Sequence, residues 1–157
     1  MYRIPIYQVK LVRDGSQPSE RKKIDCADTA ARILQKYLEG ADREHFVVLL
    51  LDTQNQVIGI HTVTVGTLDA SLVHPREVFK TAILANAASV LLAHNHPSGD
   101  PTPSAEDLMV TRQLSEAGIT VGIEVLDHVV VGDPERYYSF REAGRMESGS
   151  MARGTVG

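Results

Sequence analysis

The sequence has one cysteine and no apolar run of the length that a membrane helix needs. An intrachain disulfide requires two cysteines, so a chain whose single cysteine is Cys26 cannot be stabilised by one. A single cysteine also agrees with a reducing cytoplasm. A spanning helix takes about 18 consecutive apolar residues. The charged N-terminal stretch MYRIPIYQVKLVRDGS also lacks the apolar centre of a signal peptide. We therefore expect a cytoplasmic protein with no membrane association.

Basic residues are too few to indicate a nucleic-acid-binding surface. Lys and Arg total 16 against 20 Asp and Glu, which gives a formal net charge of -4. Proteins that bind the phosphate backbone usually carry a basic surplus. The charge balance therefore does not support direct nucleic-acid binding, and nothing in the sequence predicts an oligomeric state.

Length and composition indicate a single globular domain. The chain has 157 residues, of which 43% are hydrophobic, enough to bury a core without disulfides. We expect an N-terminal strand and loop over residues 1–24 and the folded domain over 25–143. Residues 144–157 are rich in Gly, Ser, Arg and Met and are expected to form a flexible tail.

Hydrophobic patterning predicts helices interleaved with strands. The expected strands are 2–12, 45–52, 57–65, 89–96, 119–125 and 128–131, and a short final element is expected at 137–143. The expected helices are 24–38, 75–86 and 104–117, the last ending at Gly118. Some strand pairs are separated only by short turns, so the order predicts an α/β fold with a mixed β-sheet flanked by helices.

Two histidines close the strand expected at 89–96. His94 and His96 are two residues apart, so their side chains leave the same face of the strand while Asn95 points the other way. Two imidazoles on one face at a strand end form two of the ligands that a zinc site needs.

The third ligand is expected from the next helix. Loop 97–103 holds three prolines, and Asp107 lies in the first turn of the helix that follows. A rigid loop can fold this turn back beside the strand end. Ser104 and Asp107 also fit a capping box, in which each satisfies backbone N–H groups. The two histidines alone are also consistent with a hydrogen-bonded pair in a loop, so both alternatives stay open.

The string HNHPSGDPTPSAED over residues 94–107 resembles the JAMM (JAB/MPN) metalloprotease motif. That motif reads His-Ser/Thr-His-Pro, then Ser, two residues and Asp. Segments 73–88, 93–107 and 122–132 are similar to the RadC-like branch, whose members have been labelled DNA repair proteins. The resemblance covers roughly residues 25–142.

This resemblance implies a cytidine-deaminase-like JAB/MPN architecture and a zinc-dependent hydrolase that acts on a peptide or protein substrate. His94, His96 and Asp107 would bind Zn²⁺ with water as the fourth ligand, the open arrangement of catalytic zinc sites. In the family, a Glu at the start of an early core strand moves the proton, and Glu44 matches that place. Ser104 would hydrogen-bond the oxyanion of the tetrahedral intermediate.

The match of Glu44 rests on position along the chain, not on a fixed local spacing. Glu77, Glu106 and Glu124 are therefore alternative general bases. Two features depart from the family. Asn95 stands where the general motif has Ser or Thr, although an Asn here is similar to what the RadC-like branch carries. The helix-hairpin-helix segment of longer RadC proteins is expected to be absent, because 24 residues are too few for it.

Other zinc and nuclease chemistries fit the sequence less well. A contiguous His-Asn-His triplet cannot reproduce the geometry of HNH nucleases, whose residues come from separate elements. Metallo-β-lactamases need Asp-His two residues after the second histidine, where this chain has Ser98 and Gly99. Zinc deaminases need two cysteines. The remaining alternative is a non-enzymatic or DNA-repair-associated accessory protein of the RadC family.

Overall fold

The computed structural model describes residues 1–146 and contains three helices and five strands. The helices are α1 (Ala27–Tyr37), α2 (Pro75–Leu84) and α3 (Ala105–Val121). The strands are β1 (His45–Leu51), β2 (Val57–Val65), β3 (Ser89–Asn95), β4 (Glu124–Val131) and β5 (Tyr137–Ser139). No helix within residues 1–146 is long and apolar enough to cross a membrane.

The strands form one mixed sheet in the order β2-β1-β3-β4-β5. Strands β3 and β4 are parallel and connected by α3, whereas the other neighbouring pairs are antiparallel. This is the α/β fold with a mixed sheet that the sequence predicts. The parallel pair matters for function because it places the end of β3 beside the first turn of α3.

The sheet is covered on both faces, which explains the continuous apolar run of its central strands. One face packs against α1, in a cluster that includes Leu34, Val47 and Leu91. The other packs against α2 and α3, in a cluster that includes Phe79, Leu92 and Leu114. Successive residues of β1 and β3 alternate between these two cores, so every residue of β3 is buried.

The strand predicted for residues 2–12 is wrong. These residues form no strand, and their large apolar side chains are exposed, as at Ile6 and Val9. Alternation describes the two faces that a strand would present, but a strand also needs a partner for its backbone N–H and C=O groups. The N-terminal region contacts the sheet at a single bridge, between Lys23 and Gln56 at the outer edge of β2.

The predicted end of the third helix at Gly118, and the strand predicted for 119–125, are also wrong. Helix α3 continues to Val121 and ends at Gly122, whose φ of 76° lies in the left-handed region that favours glycine. Gly118 serves close packing instead. A Cβ atom there would lie 2.5 Å from the carbonyl oxygen of Ile123. This glycine near the end of α3 therefore marks close contact with the chain that follows, not the end of the helix.

Strand β4 is one irregular strand where the sequence suggested two. Its pairing with β3 shifts register between Val90 and Leu91, which face Val125 and Asp127. The extra residue is a β-bulge, which changes the face that the following side chains occupy. The short final element predicted at 137–143 contains the three-residue strand β5. Most of the predicted tail, from residue 147 onward, lies outside the described residues.

Candidate metal centre

Three side chains converge where β3 ends and α3 begins. The Nε2 atoms of His94 and His96 lie 3.0 Å apart. One carboxylate oxygen of Asp107 is 3.2 Å from Nε2 of His94, and the other is 3.1 Å from Nε2 of His96. The three donor groups lie within 4.8 Å of one another, close enough to surround one metal ion. The structure therefore brings together all three ligands that the sequence predicts.

The loop after β3 fixes the position of His96. Its backbone N–H donates to Val131 at 2.9 Å, and its ring Nδ1 lies 2.9 Å from the carbonyl oxygen of Asp100. The loop packs tightly on the end of β4, because a Cβ atom on Gly132 would collide with the backbone of Gly99. Only glycine allows so close an approach of two backbones.

The start of α3 has both the capping box and the geometry that a ligand role for Asp107 requires. The Ser104 hydroxyl accepts from the backbone N–H of Asp107 at 3.1 Å, and the Asp107 carboxylate accepts from the N–H of Ser104 at 2.8 Å. The same carboxylate faces the two imidazoles. The two interpretations of Asp107 are therefore compatible, because the cap holds the carboxylate in one orientation.

Electrostatics at this position favour a cation. Burial acts to raise the pKa of the Asp107 carboxyl, but the adjacent imidazoles of His94 and His96 outweigh it and hold that pKa far below its usual range. The pKa of His96 is raised, chiefly by its hydrogen bond to Asp107, although burial opposes the shift. The hydrogen bond to the Asp100 carbonyl and the negative charges of Asp107 and Glu44 raise this pKa further. Asp107 thus remains ionised and attracts positive charge.

The donor set fits a divalent metal ion. The carbonyl oxygen of Asp100 only accepts hydrogen bonds, so Nδ1 of His96 carries a hydrogen, and in the neutral ring Nε2 offers a lone pair. That lone pair faces the Asp107 carboxylate and the Nε2 of His94. Two imidazoles and one carboxylate match the three protein ligands of catalytic zinc sites. The same set also suits iron or nickel.

Glu44 lies beside the centre, immediately before β1. One of its carboxylate oxygens accepts from the backbone N–H of Leu68 at 2.7 Å. Within residues 1–146 the other oxygen has no hydrogen-bond partner. Asn95 holds both neighbours of Glu44: it accepts from the N–H of His45 at 2.7 Å and donates to the carbonyl oxygen of Arg43 at 3.0 Å.

The three alternative glutamates have other surroundings. Glu77 is exposed in the first turn of α2 and pairs with Lys80 at 3.0 Å. Glu106 accepts from the backbone N–H of Ala70 at 3.1 Å. Glu124 begins β4 opposite Ser89, at the far end of β3 from the histidines. Glu44 is the one whose charge contributes to the raised pKa of His96.

Two contributors to the site have weak sequence signals. Asn95 is such a residue, since the strand pattern shows only that it points away from the metal ligands. Thr111 is the second: its hydroxyl donates to the carbonyl oxygen of Asp107 at 2.7 Å. Its spacing of four residues from Asp107 on one helix was the available signal.

His128 is fully buried in β4, where it pairs with His94 of β3. Asp127 accepts from the backbone N–H of His128, not from its ring. The ring instead contacts His94 and Thr111. Complete burial lowers the pKa of His128 far below its ordinary value, and the neighbouring His94 lowers it further. The ring is therefore neutral at neutral pH.

Comparison with known proteins matches most of the chain to one family. Residues 24–145 match the RadC-like JAB domain. A UPF0758 protein of Desulfitobacterium hafniense is 52% identical over 130 residues, which cover 83% of this chain and 57% of that protein. A UPF0758 protein of Rubrobacter xylanophilus is 60% identical over 114 residues, which cover 73% of this chain and 49% of that protein. The chain thus spans about half the length of these curated relatives.

Proposed function

The chain belongs to the RadC-like JAB domain family, and on that premise we propose that it is a zinc-dependent hydrolase of peptide or isopeptide bonds. In this proposal His94, His96 and Asp107 hold the ion, Glu44 moves the proton and Ser104 stabilises the oxyanion. The substrate is a peptide or a protein. A non-enzymatic or DNA-repair accessory role is the alternative, and the acidic net charge of -4 gives it no direct support.

One observation carries the proposal: three electron-pair donors converge beside a glutamate that has one carboxylate oxygen without a partner among the described residues. A structural zinc site normally has four protein ligands, whereas a catalytic site has three and leaves a position for water or substrate. The three-donor set together with the neighbouring Glu44 therefore supports catalysis over a structural role.

The chemistry divides between the ion and the chain. A bound zinc ion would supply Lewis acidity, which lowers the pKa of water bound to it to about 7 and polarises an amide carbonyl. Glu44 accepts the proton released by the attacking water and delivers it to the nitrogen of the leaving amine. This transfer is general acid–base catalysis, and it requires a carboxylate within hydrogen-bond reach of the water.

Ser104 is suited to bind the developing negative charge. Its hydroxyl oxygen is already an acceptor for the N–H of Asp107, so the hydroxyl hydrogen remains to donate. The residue is exposed at the N-terminus of α3, where the helix dipole also favours negative charge. Loss of one oxyanion donor typically costs about 100- to 1,000-fold in turnover.

The test uses zinc-loaded protein and two reporter sets, peptide–coumarin amides and an isopeptide-linked lysine reporter. Glu44→Gln keeps the size of the side chain but cannot move the proton, so cleavage should be lost while zinc remains bound. Glu77→Gln is the matched control, because Glu77 is an exposed glutamate paired with Lys80. Its activity should equal that of the wild type. Full activity of Glu44→Gln on a reporter that the wild type cleaves would contradict the mechanism.

A further inference from the structure

Behind His94, away from Asp107, the structure contains a buried chain of hydrogen bonds. Nδ1 of His94 lies 2.7 Å from Nε2 of His128. Nδ1 of His128 lies 2.5 Å from the hydroxyl of Thr111, which donates in turn to the carbonyl oxygen of Asp107 at 2.7 Å. This series of hydrogen bonds therefore begins at the side chain of His94 and ends on the backbone of Asp107, and both residues belong to the proposed metal site.

We propose that His128 and Thr111 are positioning residues that fix the tautomer of His94, so that its Nε2 lone pair faces the metal centre. This inference rests on the metal site of the proposed function, but not on the reaction assigned to it. It concerns how the chain prepares a ligand before any ion or substrate arrives.

The direction of the hydrogen bonds follows from a count of hydrogens. A threonine hydroxyl has one hydrogen, and the carbonyl of Asp107 can only accept, so Thr111 donates there. The same hydroxyl must then accept from His128, which places the ring hydrogen of His128 on Nδ1. A neutral imidazole carries one such hydrogen, so Nε2 of His128 is an acceptor. His94 consequently donates through Nδ1, and its Nε2 keeps a lone pair.

The surroundings leave His128 no other arrangement. Its side chain is fully buried, at 0% exposure. Phe140 stacks on the ring with a centroid distance of 4.8 Å, and Phe46 contacts it edge-on at 5.7 Å. Charging the ring in this apolar environment is costly, so it remains neutral. Among the described residues, only His94 and Thr111 form hydrogen bonds with its ring nitrogens.

The bulge in β4 makes this arrangement possible. In a regular strand, residues 125 and 128 would lie on opposite faces. The register shift opposite Val90 and Leu91 puts Val125 and His128 on the same side, where Val125 joins the α2/α3 core and His128 meets Thr111. Partners of this kind, which orient metal-binding histidines, typically contribute about 10- to 100-fold to metal affinity.

The chain offers a closely matched pair of variants for the test. Thr111→Val removes the hydroxyl with little change in shape, whereas Thr111→Ser retains it. Thr120→Val is the control, because Thr120 lies in the same helix and makes the same kind of bond to the carbonyl four residues earlier, at 3.3 Å from Glu116. Zinc affinity is measured by competition with a chromogenic chelator. Thr111→Val should bind about 10- to 100-fold more weakly, and Thr111→Ser and Thr120→Val within about threefold of the wild type.

A second measurement separates positioning from folding. Long-range ¹H–¹⁵N spectra of the chelator-treated wild-type protein should show His94 and His128 each protonated at Nδ1. In Thr111→Val the ring of His128 has no acceptor for that hydrogen, so the His94 signals should shift toward a mixture of tautomers. Circular dichroism should show the same secondary structure in every variant.

The outcomes are distinct. Wild-type zinc affinity in Thr111→Val, or protonation of His94 at Nε2 in the wild-type protein, would overturn the proposal. If the wild type binds zinc but cleaves no reporter, the proposed hydrolysis is refuted and the positioning role of His128 and Thr111 stands. If the wild type binds no zinc, the metal centre is refuted, and the positioning role is refuted with it.

Discussion

The side-chain oxygen of Asn95 accepts a hydrogen bond from the backbone N–H of His45 at 2.7 Å, and its amide donates to the carbonyl oxygen of Arg43 at 3.0 Å. These two bonds hold the residues on either side of Glu44. The middle residue of the His-Asn-His triplet thus contributes to the site from the opposite face of β3. In our proposal His94 and His96 bind the metal, and Asn95 positions the carboxylate of Glu44 beside them.

The first prediction follows from this contact. Asn95→Ala should keep zinc but lower kcat/KM by about 10- to 100-fold, because small displacements of catalytic groups cost this much. Turnover and zinc stoichiometry are measured on the same preparation. Gln54→Ala, at an exposed amide in the β1–β2 turn, is the control and should change neither quantity. Unchanged turnover in Asn95→Ala would show that the position of Glu44 does not depend on the hydrogen bonds that Asn95 makes to His45 and Arg43.

The second prediction concerns pH and metal removal. In chelator-treated protein the raised pKa of His96 gives a stabilisation that is fully present below the unfolded value of about 6.5 and is lost as pH rises through the folded value. The depressed pKa of Asp107 gives the opposite dependence, with stabilisation above about pH 4 that is lost in acid. Metal-free protein should therefore be more stable at about pH 6 than at about pH 8.5.

Zinc should reverse that trend, because the metal replaces the proton and binds best when histidines are deprotonated. The free energy of unfolding is measured by urea titration with and without zinc at both pH values. The gain on adding zinc should be larger at the higher pH. An equal gain at both values would contradict the assignment of His96 and Asp107 as ligands.

The third prediction tests the packing of α3 on β4. Gly118→Ala should destabilise the protein by about 1–3 kcal/mol, because overpacking against the backbone of Ile123 outweighs the better helix propensity of alanine. Gly122→Asn is the comparison: asparagine tolerates the left-handed conformation there and has open space for its Cβ atom. A stabilised Gly118→Ala variant would refute the packing argument.

The fourth prediction concerns Asp127, whose pKa is raised by burial. It accepts hydrogen bonds from the backbone N–H groups of His128 and Arg141 and from the hydroxyl of Ser139. Asp127→Ala leaves these donors without a partner and should cost about 2–4 kcal/mol in unfolding free energy. Asp127→Asn keeps an acceptor and avoids the buried charge, so it should lie within about 1 kcal/mol of the wild type at neutral pH. Equal losses in both variants would show that the acceptor retained in Asp127→Asn does not preserve stability and that the carboxylate itself is required there.

The predictability of the structure depends on how local each signal is. The clustering of His94, His96 and Asp107 was predictable because the two histidines lie two residues apart at the end of one strand, His94 in β3 and His96 just after it, and Asp107 lies one rigid loop away. The elements around the core were predictable for the same reason: their apolar residues repeat with the period of a helix or strand. The family resemblance added the proposed roles of Glu44 and Ser104. No local spacing identifies Glu44, whereas the spacing of Ser104 from Asp107 predicts only a helix cap.

The errors arise where tertiary contacts decide. The segment 2–12 alternates like a strand but has no strand beside it, and alternation does not reveal the lack of a partner. Gly118 resembles a helix stop until the approach of Ile123 is known. The contact between His128 and Thr111 depends on a bulge opposite Val90 and Leu91, and a one-residue change of register leaves no mark in the residue pattern.

The most direct test of the central claim is the metal content of the purified protein, measured by elemental analysis for the wild type and for His96→Ala after both are supplied with zinc. His96 lies at the edge of the core with 13% of its side chain exposed, so its replacement should remove a ligand without unfolding the sheet. We expect about one zinc ion per wild-type chain and a loss of that zinc in the variant. An absence of zinc in the wild type, or equal zinc in both proteins, would contradict the metal centre and the hydrolase built on it.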